Sequence, residues 1–344
     1  MADPLFIQAL ECTYAYRPFS NHYVKDLIEA GVTCINETAP SSKLNFVEAI
    51  KAIYTFRKSM EPYDAIIVKT ASDIERAKKE KKLAIIIGTQ NLPFFGAYYP
   101  DDMAVLDVYD RLDVKIAQLT YQRRNIVGDG CGERTDAGLS KFGIKVVEEM
   151  NKRGMVIDLS HVGPKTTDEA IELSKDPVAI THSNCRALCN HVRNKTDEQI
   201  KAMAEKGGVI GMGKFGPLVN IQRIPTFDDF LDHIEHVVEL VGIDHVGIGL
   251  DYVEKVPVHP DIEVQKRAWE ERAVVRANYP ELYADAPYYQ EFVPGGVDIK
   301  ELDEPSKWKP NIANGLAGRG YSSSEIEKVL GLNFLRVFKK VWRT

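Results

Sequence analysis

The chain has 344 residues, of which 44% are apolar and 27% are charged, and its formal net charge is −6. This length suits one large α/β barrel, and the composition can bury a sizeable core. Lysines and arginines are scattered among acids rather than gathered into a stripe, so the charge pattern gives no support to a nucleic-acid partner. No stretch approaches the roughly 18 consecutive apolar residues that a membrane span needs.

The N-terminus and the cysteines predict a cytoplasmic protein. The opening residues, MADPLFIQALEC, lack the basic and apolar regions of a secretory signal. The chain has five cysteines, an odd number without framework spacing, and Cys185 and Cys189 form a CxxxC that does not match a zinc ribbon. We therefore expect unpaired thiols in a reducing compartment.

Eight apolar runs have the length and β-branched content of strands that are buried on both faces. In chain order they cover 5–12, 32–37, 83–90, 114–121, 155–161, 178–183, 208–213 and 245–251. Helical periodicity with suitable capping residues lies between several of them, over 101–112, 141–154, 164–175 and 226–242. The alternation predicts a single (β/α)8 barrel domain over residues 1–344.

One extra apolar run and two long connections lie outside this alternation of strands and helices. Residues 64–69 are predicted to be an insertion outside the barrel. Residues 122–140 and 252–305 follow the fourth and eighth strands and are predicted to be binding loops, the second a lid over the barrel mouth. A doubly wound open sheet is the competing fold, but no Gly-rich phosphate loop follows the first strand.

Polar residues at the carboxyl ends of the predicted strands would converge on one pocket. They are Glu11, Cys12, Glu37, Gln90, Tyr121, His161, His182 and Asp251. Two histidines on consecutive strands together with an aspartate favour a divalent metal, zinc before the others. A hydrogen-bonded structural role is the alternative for each histidine taken alone.

Three segments carry a resemblance to a known family: GMVIDLSHVG, ITHSNCRALCNHVRN and HVGIGLDY. They resemble the renal (membrane) dipeptidase family, the M19 branch of the amidohydrolase superfamily, and the similarity runs from about residue 5 to 340. The resemblance implies a (β/α)8 barrel with two zinc ions that activate a hydroxide against a dipeptide amide. It also implies a small-molecule substrate and a homodimer.

The resemblance assigns roles to five residues by motif position. His161 and His182 match two histidines of the second metal site, and Asp251 matches the aspartate that handles the proton. Arg193 matches an arginine that contacts the substrate carboxylate. Tyr121 stands where the family has a histidine that steadies the tetrahedral oxygen, so it is predicted to donate a hydrogen bond to an oxyanion.

The departures from the family motif change the predicted metal content. Leu10 and Cys12 occupy the positions of the His-x-Asp pair on the first strand, and Gln90 replaces the bridging glutamate. Two carboxylates that neutralise neighbouring dications are therefore lost. The sequence predicts one zinc ion per chain on His161 and His182, with no metal as the alternative.

Further candidate residues lie around this pair. Cys12 is a candidate nucleophile or ligand if a cation lowers its pKa, and is otherwise an inert buried thiol. Gln90, Glu11 and Asn125 are candidate substrate contacts.

The leading functional hypothesis is a metal-dependent hydrolase of a dipeptide-like or small amide substrate. Because the motif positions change together, one alternative is a metal-free or non-hydrolytic enzyme on the same barrel, such as a lyase, an isomerase or a cysteine-dependent amidase. Another is a catalytically dead homologue that binds a small molecule. No nucleic acid or membrane is expected as a partner.

Overall fold

The computed structural model describes residues 3–16, 18–42, 44–92, 103–255, 261–271 and 298–343. Its strands pair in parallel throughout. They are β1 (Ile7–Glu11), β2 (Cys34–Thr38), β3 (Ala65–Ile67), β4 (Leu83–Thr89), β5 (Val114–Gln118), β6 (Val156–Asp158), β7 (Ala179–Ser183), β8 (Val209–Met212) and β9 (Val246–Ile248).

Helices connect most of the strands, and further helices follow the last strand. They are α1 (Thr13–Tyr16), α2 (Tyr23–Glu29), α3 (Phe46–Met60), α4 (Ala71–Glu80), α5 (Ala104–Arg111), α6 (Lys141–Arg153), α7 (Pro164–Leu173), α8 (Asp197–Glu205), α9 (Gly216–Val219), α10 (Phe227–Val241), α11 (Ile262–Glu271), α12 (Pro305–Gly318), α13 (Ser323–Glu327) and α14 (Asn333–Val341). Short 3-10 turns lie at Ile243–His245 and Lys300–Leu302, and a π-helical turn at Lys328–Leu332. None of the helices in the described ranges is long and apolar enough to cross a membrane.

The eight predicted strands form one nearly closed barrel, so the predicted (β/α)8 fold is confirmed. The order around the sheet is β1-β2-β4-β5-β6-β7-β8-β9. Closure comes from a bridge between Glu11 and Tyr252, where the Cys12 amide donates to the Tyr252 carbonyl at 2.9 Å. Closure places all the carboxyl strand ends around one mouth.

The extra strand lies outside the barrel, as predicted. β3 pairs with the first half of β4, where Ala65 faces Leu83 and Ile67 faces Ile85. β5 takes the second half of the same edge, beginning with the pair Ile87 and Val114. The predicted 252–305 lid falls largely outside the described residues, and helix α11 is its main described part.

The barrel interior is apolar at the end opposite the mouth. Side chains from seven barrel strands cluster there with Phe334 and Phe338 of α14, and they include Ile7, Cys34, Ala84, Ile86, Ile116, Val156, Ala179 and Val209. Each fully buried phenylalanine contributes about 1.5–3 kcal/mol relative to an exposed one. All five cysteines are buried and none forms a disulfide bond. Because apolar side chains fill this end of the barrel, the polar groups of the interior lie at the carboxyl ends of the strands.

Close backbone approach between β7 and the end of β9 predicts a stability effect. A Cβ at Gly249 would lie 1.7 Å from the carbonyl oxygen of Thr181. We therefore expect Gly249→Ala to lower the free energy of unfolding by about 3 kcal/mol, measured by urea denaturation. Gly213→Ala is the matched control, because its Cβ would meet nothing closer than 3.5 Å. Equal stability of the two variants would contradict the expected clash.

Candidate active site

Four of the predicted site residues come together at the barrel mouth. The Nε2 atoms of His161 and His182 lie 2.9 Å apart, and both side chains are buried. The Tyr121 ring stacks on the His161 ring with centroids 4.1 Å apart. The amide nitrogen of Gln90 lies 3.2 Å from Nε2 of His182. Strands β4 to β7 thus deliver their end residues to a single point, as the sequence predicts.

A hydrogen-bonded relay fixes the tautomer of His182. The Thr181 hydroxyl donates to Asp158 Oδ2 at 2.7 Å, and the same Thr181 oxygen lies 2.8 Å from His182 Nδ1. Because that hydroxyl has one proton and directs it at the carboxylate, its lone pair accepts the Nδ1 proton of His182. The Nε2 lone pair of His182 is therefore available to a ligand, as in histidines that bind metal ions.

His161 has no comparable support. Its Nδ1 atom is buried and has no hydrogen-bond partner among the described residues. With the His182 lone pair facing it, His161 donates its Nε2 proton to His182 in this arrangement. The stacked Tyr121 ring and this one hydrogen bond hold the His161 ring in place. Binding of a cation between the two rings would require that proton to leave.

Both histidines are neutral at neutral pH. Burial lowers the pKa of His161 and of His182 well below the usual range, and the nearby Arg193 cation lowers each pKa further. Neutral imidazole is the protonation state that a metal ion requires. The positive charge of Arg193 also disfavours a further positive charge here. A metal ion would therefore be held less tightly than in a site with anionic ligands.

Arg193 supports the histidine-bearing strand ends. Its side chain is buried, and its guanidinium donates to the carbonyl oxygen of Ser160 and, at 3.1 Å, to that of His182. These bonds fix the backbone beside each histidine. The predicted contact of Arg193 with a substrate carboxylate stays a prediction, since two of its donor groups are engaged with the protein's own backbone.

Cys12 and Asp251 form a second group where β1 meets β9. The Cys12 thiol donates to Asp251 Oδ1 at 3.3 Å. Burial raises the pKa of Cys12 well above its usual range, and the Asp251 carboxylate raises it further. Cys12 is therefore a protonated thiol at neutral pH, and the charges around it do not favour a nucleophilic thiolate. Burial also raises the pKa of Asp251, with the nearby Arg193 opposing that rise.

Glu11 and Glu37 form a buried carboxyl pair that sequence reasoning did not recognise as a pair. They are register partners on β1 and β2, after an irregularity between Gln8 and Glu11. Tyr23 donates to Glu11 at 3.0 Å, and the Tyr14 amide donates to Glu37 Oε1 at 2.8 Å. Burial raises the pKa of Glu11 well above its usual range, with the Glu37 charge as the next cause, and burial raises the pKa of Glu37 to about 8. At least one of the pair therefore keeps a proton at neutral pH.

The raised pKa of Glu37 predicts how stability depends on pH. Between its ordinary value of 4.5 and about 8, the folded protein holds a proton that the unfolded chain releases. The free energy of unfolding therefore falls as pH rises through this window. Glu37→Gln should flatten the fall and make the protein more stable than wild type at pH 8, by thermal denaturation across pH. The exposed Glu29→Gln is the control, and an unchanged slope in Glu37→Gln would refute the assignment.

Asn125 does not join the converging groups. Its amide nitrogen donates to the Leu119 carbonyl at 2.8 Å and to the Asn91 side chain at 3.0 Å, and its amide oxygen accepts from the Val127 amide at 2.7 Å. These bonds use its side chain to shape the loop 122–140. Its predicted substrate contact stays a prediction, and its amide groups are engaged in these bonds within the protein.

Lys214 is a mouth residue that sequence reasoning missed. It follows β8, whose end reads GMGK, and its side chain is buried. Burial lowers the pKa of Lys214, while the charges of Asp298, Asp251 and Glu11 raise it. The lysine directly after an apolar run was the available signal, but lysine in that position is usually exposed.

Among the described residues, the donor set offers two protein ligands for one divalent ion and none for a second. The Nε2 atoms of His161 and His182 face each other, whereas the Gln90 atom beside them is its amide nitrogen, which is a hydrogen-bond donor and not a metal ligand. Within the described ranges, no three histidine, cysteine or acidic side chains are close enough to form a metal-binding group. Leu10, in the position of a first-strand ligand, is buried and has no donor atom.

The molecule is a parallel barrel with paired histidines at the carboxyl ends of its strands, and sequence comparison specifies its family. The model of the family described as membrane dipeptidase (peptidase family M19) matches residues 28–273. The chain therefore belongs to this family, as its motifs predict.

Curated relatives agree with this assignment. Dipeptidase tcpJ of Claviceps purpurea is 27% identical over 87% of this chain and 59% of its own length. An uncharacterized dipeptidase, C965.12, of Schizosaccharomyces pombe is 29% identical over 80% of this chain and 58% of its own length. The chain thus spans about three-fifths of the length of these relatives.

Solved structures show the same fold over nearly the whole chain. An amidohydrolase from Pseudomonas aeruginosa is 31% identical, with a TM-score of 0.81 over 99% of this chain and 97% of that one. A metallo peptidase from Rhodobacter sphaeroides, solved with a phosphinate mimic of the dipeptide L-Ala-D-Ala, has a TM-score of 0.75 at 16% identity, over 98% and 99% of the two chains. The second likeness shows the fold alone.

Proposed function

We propose that the chain is a metal-dependent hydrolase of dipeptide-like or small amide substrates that works with one divalent ion, zinc before the others. One observation carries the proposal. The Asp158–Thr181 relay presents the Nε2 lone pair of His182 to Nε2 of His161, 2.9 Å away, at the mouth of the barrel. Membership of the membrane dipeptidase family supports the same chemistry.

His161 and His182 would hold the ion. When bound there, it supplies Lewis acidity and a water of lowered pKa. Arg193 keeps both histidines in place through the carbonyl groups of Ser160 and His182. Tyr121, stacked on His161, would direct its hydroxyl toward the oxygen that becomes negative when an amide carbonyl is attacked.

Asp251 would move the proton. Amide hydrolysis needs a group that removes a proton from the attacking water and returns it to the leaving amine. Burial raises the pKa of Asp251, which makes its carboxylate a stronger base, and the Cys12 thiol holds its Oδ1 atom at 3.3 Å. Gln90 and Glu11 would line the space beside the reacting amide, which stays a prediction for both residues.

A second candidate is a metal-free enzyme on the same barrel, such as a lyase or an isomerase. It is favoured by the direct bond between the two histidines and by the absence of a described hydrogen-bond partner for His161 Nδ1. The Glu11–Glu37 pair and Asp251 would then supply acid–base groups without an ion.

One experiment separates these functions. The protein is stripped with a chelator, assayed on a panel of dipeptides and N-acyl amino acids, and then titrated with zinc. If the protein is a one-zinc hydrolase, we expect activity to disappear on stripping and to return as zinc is added up to about one equivalent per chain. Turnover that survives exhaustive chelation favours the second candidate. Tight binding of these compounds without turnover would indicate a binding protein instead.

The cellular compartment and the oligomeric state are proposed from the sequence. The buried thiols, none in a disulfide bond, support the cytoplasm as its compartment. The family resemblance supports a homodimer, which size-exclusion chromatography with light scattering would test.

A further inference from the structure

Lys195 is a buried lysine that the proposed chemistry does not use. It is 2% exposed, and within the described part of the chain its ammonium forms no ion pair with a carboxylate. Burial, followed by the positive charge of Arg193, lowers the pKa of Lys195 to about 7. An unpaired ammonium is costly to remove from water, whereas an apolar side chain of similar length would fill the same space without that cost. The lysine therefore opposes stability, and its contacts indicate what it contributes instead.

The side chain of Lys195 is bonded to the segment that follows β6. Its Nζ atom donates to the Val162 carbonyl oxygen at 3.0 Å and to the Thr167 hydroxyl oxygen at 3.1 Å. Val162 directly follows His161 in the chain, and Thr167 lies in the first turn of α7. The ammonium therefore holds the backbone on the C-terminal side of His161.

The backbone of Lys195 is bonded to the segment that follows β7. Its amide donates to the Asn184 carbonyl at 3.0 Å, and its carbonyl accepts from the Arg186 amide at 2.8 Å. These bonds form a parallel bridge between Lys195 and Cys185. Asn184 is the second residue after His182. One residue thus joins the two histidine-bearing segments, with its side chain on one of them and its backbone on the other.

The carbonyl groups around His161 are held by different parts of the chain. Arg193 donates to the Ser160 carbonyl, and the Cys131 amide donates to the His161 carbonyl at 2.9 Å. Lys195 takes the next carbonyl along the chain. Because the Nδ1 atom of His161 has no hydrogen-bond partner among the described residues, the direction of its ring depends strongly on this backbone.

We propose that Lys195 is a positioning residue, which joins the segments after β6 and β7 and so keeps His161 and His182 at the separation that binds the metal ion. The proposal rests on the proposed hydrolase function, because it concerns the same metal site. Removing an outer partner of a metal ligand typically lowers metal affinity by about 10- to 100-fold. An effect on the site combined with a cost to the fold distinguishes this role from ordinary structural support.

Replacing Lys195 with methionine tests the two effects separately. Methionine keeps an unbranched stem and removes the charge, and the Val162 carbonyl keeps a donor, because the Thr167 hydroxyl lies 3.3 Å from it. We expect the zinc affinity of Lys195→Met to fall by about 10- to 100-fold in a titration. The urea midpoint of the zinc-free variant should equal or exceed that of zinc-free wild type. An unchanged zinc affinity, or a lower midpoint that accompanies the loss, would overturn the proposal.

Lys206→Met is the matched control. The Nζ atom of Lys206 also donates to two neutral oxygens, the carbonyls of Glu172 and Ser174, both at 3.0 Å. Lys206 is exposed and follows α8, and its bonds reach neither histidine-bearing segment. This variant should bind zinc as wild type does. An equal loss of zinc affinity in both variants would contradict a specific role for Lys195.

A measurement without zinc separates failure of the positioning role from failure of the proposed function. His161 donates its Nε2 proton to His182 at 2.9 Å, and heteronuclear NMR of zinc-free protein follows the exchange of that proton with water. We expect exchange in Lys195→Met to be faster by about tenfold or more than in wild type and in Lys206→Met. If wild type binds no zinc and hydrolyses no dipeptide, the proposed function fails, but faster exchange in Lys195→Met alone still supports the positioning of His161. Equal exchange in the three proteins would overturn it.

Discussion

Replacing His182 with asparagine is expected to abolish metal-dependent hydrolysis while the fold stays intact. Asparagine can keep an N–H near the position of Nδ1, which contacts the Thr181 hydroxyl at 2.8 Å. It removes Nε2, the atom that faces His161 Nε2 at 2.9 Å. With one of two imidazole donors gone, the zinc affinity should fall by more than about 100-fold, because even outer-shell changes cost about 10- to 100-fold.

Zinc titration and turnover measured on the same preparation check this expectation. His236→Asn is the matched control, because His236 in α10 contacts Asp197 at the surface and lies outside the mouth. That variant should bind zinc and turn over substrate as wild type does. If His182→Asn kept the zinc stoichiometry and kcat of wild type, the ion would be bound elsewhere and the proposed site would be wrong.

Replacing Asp251 with asparagine is expected to lower kcat by about 1000-fold, within the range for loss of a general acid–base group. The reason is chemical rather than structural. Asp251 has a φ of 53°, in the left-handed region, which asparagine tolerates as well as aspartate does. The amide keeps the size of the carboxylate but takes up no proton from the attacking water.

The pH dependence gives the sign of the Asp251 effect. Hydrolysis needs the ionised carboxylate, so the rate should rise with pH through the Asp251 pKa, which burial raises above its ordinary value of 3.8. The residual activity of Asp251→Asn should lack this acidic limb. Cys12→Ser, which keeps a donor to Oδ1, is the control and should stay within several-fold of wild type. A full-rate Asp251→Asn variant would remove the residue from the mechanism.

The fold was predictable because each barrel strand is a short apolar run between helical patterns. Strand ends were less predictable. The run at 155–161 predicts a longer strand than the observed Val156–Asp158. The strand ends early because Ser160 and His161 leave the sheet to form the mouth. The strand irregularity before Glu11 is likewise unmarked in sequence, and it decides which side chains of the first strand share a surface.

The site was predictable where function depends on position along a strand and not where it depends on side-chain direction. His161 and His182 follow from their places at strand ends, and the structure brings them together. The relay from Asp158 to His182 needs the register between β6 and β7, which no motif gives. The direction of Arg193 and the burial of Lys214 depend on tertiary packing, since both residue types are usually exposed.

The metal content of the purified protein is the most direct test of a one-ion centre held by His161 and His182. The protein is prepared without chelators and without a histidine tag, and its metal ions are counted by mass spectrometry. We expect about one zinc per chain, and loss of that ion in His182→Asn. About two ions per chain, or none even after incubation with zinc, would contradict a one-ion centre held by His161 and His182.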